Sequence, residues 1–353
     1  MKMKRWIAFV LCAVMALSLT ACKFSTPAAV MTVDGVEIPA GVYLMYQYQA
    51  YSSARSQRED TSVAVLKTSI DGTKASDWIH AETLDDIKQY LWVERAFEAA
   101  GLSFTQEELD SAAQWIETIW SYNGALMEEN GIGRESYRLV YMNSEKYAKL
   151  LEAYREGPEG EISEADAKAY MQETYSRIRR LILPATDADS AALTPEKQAE
   201  LDTLAGQVAE RLNAGEKLDE IAEEVLKQAY GICGREYTED SLSSDLGAFF
   251  ISSETTGFEE DFVPTVMAAS EGDAGVYQNG AAREDVSQPV VYQKIANYED
   301  DADFTENYYE ILQSEITGVA FSENMKAELG AYTVQENGFA VWSYRPSNIK
   351  ESV

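Results

Sequence analysis

The sequence predicts an α+β protein that is mainly helical, with a smaller sheet-containing unit between helical segments at both ends of the chain. Helical periodicity fills much of the first 175 residues and returns after about residue 304. Between these segments, short β-branched and aromatic runs alternate with helical patterns. The length of 353 residues is sufficient for two domains.

The composition is that of a folded and strongly acidic chain. Hydrophobic residues make up 46% of the sequence, and 29 Lys and Arg stand against 60 Asp and Glu, for a formal charge of −31. This charge would repel nucleic acid, because a polyanion is bound through clustered basic side chains. The single histidine, His80, excludes sites that need two or more imidazoles. We expect no metal and no cofactor.

The first 21 residues have the features of an export signal. A basic start precedes an apolar run at 6–19, which is short for a membrane-spanning helix. The run ends in Leu19-Thr20-Ala21-Cys22, which resembles the processing box of bacterial lipoproteins. This resemblance implies cleavage before Cys22, acylation of Cys22 and a tether at 22–29 that attaches the protein to the extracytoplasmic face of the cell membrane. Ordinary secretion with a small-residue cleavage site is the alternative.

Such processing would leave Cys233 as the only unmodified cysteine, since Cys12 lies in the signal peptide and Cys22 carries lipid. No internal disulfide is then possible, and the chain must fold on its hydrophobic core alone. We interpret Cys233 as a small, partly buried residue. A redox thiol, or a catalytic pair of Cys233 with His80, is the less favoured interpretation.

The N-terminal part predicts a hairpin followed by helices. Residues 30–39 alternate around an Asp-Gly turn, and the next helix carries aromatic residues on one face at 43–51. The stretch 52–76 has little periodicity and predicts a loop. Further helices are expected at about 82–100, 105–129 and 134–156, and one more begins at Ser163.

The remaining part predicts strands and helices in alternation. Strands are expected near 178–183, 245–251 and 289–296, and helices at 195–213, 218–229 and 259–269. We interpret the acidic run at 299–303 as a solvated linker. After it, we expect a helix at 304–329 and short strands near 331–335 and 338–344.

Three motifs between residues 245 and 273 are specific enough to indicate a family. Asp245-Leu246-Gly247-Ala248-Phe249 matches the Asp-Leu-Gly-x-Phe element of parvulin-type peptidyl-prolyl isomerases. Phe258, Phe262 and Met267 follow at the spacing of the apolar residues that line the proline pocket in that family, and Glu271-Gly272-Asp273 matches the turn after them. Over about 30–353 the chain resembles the exported foldase family of PrsA and SurA.

The resemblance implies a division of the chain. A helical chaperone lobe would consist of residues 30–175 together with 299–353, and a parvulin-like domain would be inserted at 176–298. The C-terminal helix and strands would then pack on the N-terminal lobe.

The resemblance also implies a proline pocket formed by Phe249, Phe258, Phe262 and Met267. Asp240 matches the acidic position beside this pocket and is a candidate catalytic residue. The alternative is that the four apolar residues only fill the core of the domain.

Two departures from the family pattern concern the floor of this pocket. Parvulins carry two histidines there, and this sequence has Arg180 at the first position and Val290 or Val291 at the second. A buried guanidinium needs a partner, for which Asp240 is the candidate. We therefore expect isomerase activity to be weak or lost while proline-containing segments still bind.

These expectations lead to a membrane-anchored extracytoplasmic foldase or chaperone that binds unfolded exported proteins. Met45, Trp115, Trp120 and Tyr122, with the aromatic face at 43–51, are candidates for an apolar cradle. The alternative for each of them is a place in the helical core. A different class of function is an extracellular solute- or polymer-binding lipoprotein in which the parvulin-like domain is only a scaffold.

Overall fold

The computed structural model describes residues 29–58, 60–280 and 286–352. The predicted signal peptide at 1–21 and the predicted lipidation site Cys22 lie outside the described residues. The chain divides into two compact units. The first takes the described residues of Met1–Glu161 and Thr317–Val353, and the second is Ile162–Ile316.

The predicted α+β class is confirmed, because helices dominate and the strands form small antiparallel sheets. In the first unit the chain forms β1 (Ala29–Val33), β2 (Val36–Pro39), α1 (Ala40–Ser56), β3 (Ser69–Ile70), β4 (Thr73–Lys74), α2 (Ala75–Ala99), α3 (Gln106–Glu129) and α4 (Arg134–Glu156).

The second unit follows with α5 (Glu164–Thr174), β5 (Ser176–Ile182), α6 (Pro195–Asn213), α7 (Leu218–Cys233), α8 (Glu239–Asp245), β6 (Leu246–Ile251), α9 (Phe262–Ala268), β7 (Ala274–Gln278), β8 (Pro289–Ile295) and α10 (Asp301–Asn307). The last elements are α11 (Tyr309–Leu329), which contains residues of both units, and then β9 (Val334–Glu336) and α12 (Gly338–Ser343). Among the described residues, no helix has the length and apolarity needed to cross a membrane.

A three-stranded sheet in the first unit joins the two ends of the chain. The hairpin of β1 and β2 turns at Asp34 and Gly35, whose φ angles of 47° and 78° are the left-handed values that a tight hairpin turn requires. β9 pairs with the other edge of β1, with Met31 opposite Glu336. A strand from the C-terminal segment is thus hydrogen-bonded to the N-terminal hairpin.

The core of the first unit also contains residues from both chain segments. The Phe321 ring of α11 packs edge-on against Trp92, with 5.7 Å between ring centroids, and against Tyr147 at 5.3 Å. Met325 is buried in the same cluster. Trp92 donates a hydrogen bond from Nε1 to Glu328 at 2.7 Å. These contacts hold the second half of α11 against α2 and α4.

The second unit is built on a four-stranded antiparallel sheet with strand order β6-β5-β8-β7. α6 and α7 cover one face, where Leu181 and Val291 enter a core of aliphatic side chains from both helices. The short α9 lies on the other face, which carries Ile178, Val290 and Tyr292. Side chains alternate between the two faces along each strand, so the sheet separates a helical core from a second, aromatic cluster.

The second unit is longer than the predicted 176–298. α5 and α10 flank the sheet in sequence, and Met171, Phe304 and Leu312 are buried in one cluster with Phe250 of β6 beside them. The compact unit therefore includes both helices and the first turns of α11. Their apolar residues pack with one another, and sequence periodicity alone does not reveal such a partner.

Other differences from the predicted elements have similar causes. α2 begins at Ala75 rather than near residue 82, and the predicted loop at 52–76 contains the end of α1 and the β3–β4 hairpin. Val65, Ile70 and Ile79 form a buried cluster there, and this tertiary packing gives order to a stretch with little periodicity. The short α8 and β7 are absent from the predicted elements.

The predicted strand at 338–344 is wrong, because residues Gly338–Ser343 form α12. Asn337 caps this helix, and its Oδ1 atom accepts a hydrogen bond from the backbone N–H of Ala340 at 3.2 Å. The predicted helix at 304–329 is interrupted at Tyr308, which separates α10 from α11.

Candidate functional site

The candidate site lies on the sheet face of the second unit that α6 and α7 do not cover. Phe249, Phe258, Phe262 and Met267, the four residues predicted for a proline pocket, lie in one cluster on this face. The Phe258 ring is stacked between Phe262, at 4.6 Å between centroids, and Phe249, at 6.1 Å. The structure therefore brings together residues that are up to 18 positions apart in the sequence.

The cluster has a buried base and a partly exposed rim. Phe262 is 7% exposed and Tyr277 is 6% exposed, so both are core residues. Phe249, Phe258 and Met267 keep part of their surface exposed. The sequence allowed these four residues either to line a pocket or to fill the core. Phe262 fills the core, and the other three residues form an apolar surface above it.

Phe258 reaches this position from a loop. The predicted helix at 259–269 begins three residues later than expected, because α9 starts at Phe262. Gly257 has a φ angle of 90°, a left-handed value that favours glycine, and it turns the chain so that Phe258 folds over the sheet. The Phe258 ring also contacts Tyr277, with 5.4 Å between centroids.

Arg180, predicted for the floor of the pocket, packs against this cluster. In the sheet it is opposite Gly247 on one side and Tyr292 on the other. Its guanidinium carbon lies 4.8 Å from the centroid of the Phe249 ring, a cation–π contact. Asp240, expected as its partner, is exposed in the first turn of α8. Among the described residues, no hydrogen bond or ion pair joins Asp240 to Arg180. The catalytic role of Asp240 stays a prediction.

The orientation of β8 decides which residue stands at the second histidine position. Val290 joins the aromatic cluster, whereas Val291 points to the core formed with α6 and α7. Val290 is opposite Tyr277 of β7. Of the two candidates, Val290 therefore faces the site, and the floor at this position is apolar.

Tyr277 adds a polar atom to the floor that sequence analysis missed. Its hydroxyl is buried and has no hydrogen-bond partner among the described residues. Burial raises the pKa of Tyr277, and the nearby Arg180 guanidinium opposes this rise. No motif in the sequence around Tyr277 indicated this role.

Lys294 positions α9 and was also missed. Its Nζ atom donates hydrogen bonds to the carbonyl oxygens of Ala269 at 2.7 Å, Val266 at 3.2 Å and Met267 at 3.4 Å. A cation at the C-terminal end of a helix satisfies carbonyls that have no partner within the helix. Burial lowers the pKa of Lys294. A lysine near the end of the largely apolar strand β8 was the available signal.

A second candidate site, lined by apolar, aromatic and amide side chains, lies in the first unit. A cavity of about 260 Å³ is lined by residues of α1, α2 and α4, among them Met45, Tyr46, Tyr137, Val140 and Tyr147. This cavity accounts for part of the predicted aromatic face.

The other candidates for a cradle lie on α3. Trp115 is 52% exposed and Tyr122 is 81% exposed. Trp120 packs edge-on against Tyr137, at 5.9 Å between centroids. Of Met45, Trp115, Trp120 and Tyr122, only Met45 is among the residues that line the cavity. Trp115 and Tyr122 are exposed on α3 instead.

A neighbouring cavity of about 450 Å³ contains an unusual carboxylic acid. It is lined by Asp86 together with Glu82, Asp85, Lys88 and Lys326. Burial raises the pKa of Asp86 to about 7, and the charges of Glu82 and Asp85 add to this rise. Asp86 is thus a group of the first unit whose charge changes near neutral pH.

The remaining sequence candidates have structural roles. His80 Nε2 lies 3.0 Å from Glu336 in the first unit, and the Cys233 thiol donates to the carbonyl oxygen of Pro184 at 3.1 Å in the second. Each residue has its own partner, so the catalytic pairing of the two receives no support. The acidic run at 299–303 caps α10, where Asp300 Oδ1 accepts from the N–H of Asp303 at 2.9 Å. Among the described residues, no group of side chains is arranged to hold a metal ion.

Comparisons with known proteins give matches only among solved structures. No protein-family model and no curated protein matches the chain. The chain is similar to foldase protein PrsA from Streptococcus pneumoniae str. Canada MDR_19A, at 14% sequence identity over 81% of this chain and 94% of that chain, with a TM-score of 0.31.

Two further structures are similar to the same degree. Foldase protein PrsA from Lactococcus lactis is 12% identical over 92% of this chain and all of that chain, with a TM-score of 0.29. Peptidylprolyl isomerase PrsA from Bacillus cereus is 14% identical over 80% of this chain and 98% of that chain, with a TM-score of 0.28.

Proposed function

We propose that this chain is a foldase-type chaperone that binds unfolded exported proteins at the extracytoplasmic face of the cell membrane, with weak or lost peptidyl-prolyl isomerase activity. The observation that carries the proposal is the rim of Phe249, Phe258 and Met267, which is partly exposed above a buried floor. An unfolded segment offers apolar side chains, including proline rings, that fit such a surface.

The floor of the site favours binding over catalysis. Rotation of an X-Pro amide crosses a barrier of roughly 18–20 kcal/mol, and a catalyst must bind the rotated amide more tightly than the planar one. Arg180 is permanently charged and lies against Phe249, and Val290 offers no polar group. Neither side chain reproduces the neutral, hydrogen-bonding imidazole of the family pattern. Binding that is equal in both states does not accelerate the reaction.

The first unit supports the same proposal with a second apolar surface. Its cavity offers Met45 and several tyrosines, and α3 exposes Trp115 and Tyr122. Large aromatic and thioether side chains adapt to partners of different shape. Two apolar surfaces on one chain allow an extended client to bind at more than one place, which increases its total affinity.

We further propose that Cys22 is acylated and that residues 23–29 tether the fold to the membrane. The support is the sequence Leu19-Thr20-Ala21-Cys22 after an apolar run. Two acyl chains give stable attachment where one gives only reversible binding.

The test is an aggregation assay in which an unfolded exported protein is diluted into buffer with the full chain. We expect the parent to suppress light scattering, and Phe258→Ser to lower this suppression several-fold. Ile311→Ser is the matched control, because Ile311 is a 65% exposed apolar residue of the second unit outside the cluster. It should leave suppression unchanged.

The outcome also separates the two classes of function. If the parent has no effect on the unfolded protein and instead binds one small solute or polymer tightly, the solute-binding alternative is favoured and the chaperone proposal fails. Equal loss of suppression in both variants would show that the rim has no special role.

A further inference from the structure

An aromatic pair on α12 is exposed and is not accounted for by either site. Trp342 is 61% exposed and Phe339 is 50% exposed, and their rings are stacked with 6.2 Å between centroids. The guanidinium carbon of Arg345 lies 4.8 Å from the centroid of the Trp342 ring. Arg345 also donates a hydrogen bond from Nη1 to the carbonyl oxygen of Trp342 at 3.0 Å, which holds the guanidinium beside the rings.

The position of this pair relative to the tether limits what it can contact. The backbone N–H of Asn337, which caps α12, donates to the carbonyl oxygen of Val30 at 2.9 Å. β1 begins at Ala29, so the pair lies beside the point where the tether enters the fold. The seven residues at 23–29 span at most about 25 Å even when fully extended.

We propose that Phe339 and Trp342 form a second membrane contact, in which both rings lie in the headgroup region of the bilayer that carries the anchor. This inference rests on the acylation of Cys22 in the proposed function. Tryptophan and other aromatic rings favour the interface between water and hydrocarbon, and a neighbouring arginine binds lipid phosphate. The contact would fix the orientation of the first unit relative to the membrane surface.

The contact depends on the anchor. Two aromatic rings bury little surface, and a chain with a formal charge of −31 is repelled by anionic lipids. The tether offsets the small buried area and the repulsion, because it keeps the rings at an effective concentration in the millimolar range near the bilayer. Even weak insertion of the rings then occurs in a measurable fraction of molecules. The tether therefore holds this aromatic patch within reach of the lipid surface.

The experiment uses the acylated full chain in vesicles of phosphatidylcholine, with or without bromine on the acyl chains near the headgroup. Bromine quenches only tryptophans that enter the bilayer. We expect the parent to be quenched in brominated vesicles and Trp342→Gln to lose most of this quenching. Trp115→Gln is the matched control, since Trp115 is exposed to a similar extent on α3, and it should keep the quenching of the parent.

Flotation of the vesicles separates the two levels of the proposal. If the parent does not float with the vesicles, the anchor and the second contact both fail. If the parent floats but shows equal emission in both lipids, or if Trp342→Gln is quenched as much as the parent, only the second contact is overturned. If Trp342→Gln keeps the quenching of the parent but loses aggregation suppression, the patch binds unfolded clients and the inference is overturned.

Discussion

The guanidinium of Arg180 lies over the Phe249 ring, with 4.8 Å between its central carbon and the ring centroid. The two residues come from adjacent strands, β5 and β6, and both face the aromatic cluster. A cation–π contact of this kind contributes roughly 0.5–2 kcal/mol, depending on desolvation. Arg180, one of the residues predicted for the proline pocket, is therefore held by the rim of the site itself.

This contact leads to a prediction about isomerase activity. The parent should leave X-Pro exchange in a short peptide close to its uncatalysed time of tens to hundreds of seconds. Arg180→His alone should leave it slow, because Val290 still offers no polar group. NMR exchange or a protease-coupled assay measures the rate. If the parent isomerises the peptide as fast as a relative with both histidines, the argument from the replaced floor is wrong.

The difference between the base and the rim of the cluster can be measured as stability. Phe262→Ala removes a ring that is 7% exposed and should cost ~3–4 kcal/mol. Phe258→Ala removes a partly exposed ring and should cost about half as much. Hydrogen exchange of the β5 and β8 amides reports the free energy of local opening. Equal costs for the two variants would contradict a rim that is separate from the core.

Lys294→Met tests whether the ammonium positions α9. Methionine keeps much of the apolar stem but removes the donor to three carbonyls, so we expect a loss of about 1–2 kcal/mol. Hydrogen exchange of the backbone amides should become faster in α9 than in the other elements of the second unit. Lys227→Met is the control, because Lys227 is an exposed lysine paired with Glu223, and it should change stability by no more than ~0.5 kcal/mol. Unchanged exchange in α9 would show that the helix is placed by its apolar face alone.

Asp86 should make the first unit less stable as the pH rises. Because its pKa is raised from 3.8 to about 7, the folded state favours the protonated acid. The contribution of Asp86 to the free energy of unfolding is fully present below the unfolded pKa of 3.8 and is lost as the pH rises through about 7. Asp86→Asn should therefore stabilise the unit above that pH by about 1–2 kcal/mol, after allowance for partial exposure.

Thermal or denaturant unfolding at several pH values measures this effect. Asp110→Asn is the matched control, since Asp110 is an exposed aspartate on α3 of the same unit and does not contribute to the raised pKa of Asp86. Only Asp86→Asn should flatten the loss of stability with rising pH. If both variants follow the same curve as the parent, the buried carboxyl does not control this transition.

Anchoring is tested by Cys22→Ser in the producing cell. The variant should be released from membranes or remain unprocessed, because acylation needs the thiol. Fractionation with labelling by a radioactive fatty acid measures both properties. Unchanged membrane attachment together with unchanged lipid labelling would show that another residue carries the anchor.

Some features of this protein follow from the sequence because they depend on neighbours within a few positions. The capping box at Thr105 and Glu108 fixes the start of α3, and the Asp34-Gly35 turn fixes the first hairpin. The resemblance to parvulin motifs implied that Phe249, Phe258, Phe262 and Met267 lie together. Each signal is local or is a motif with a fixed spacing.

The tertiary structure decided what depends on distant partners. It gave residues 75–81 to α2, because Ile79 is buried with Val65 and Ile70. It also left Asp240 exposed, and it paired Arg180 with Phe249 instead. Strand orientation turned Val290 rather than Val291 into the site. Which face of a strand is apolar can be read from the sequence, but which partner covers that face is set by packing between elements far apart in the chain.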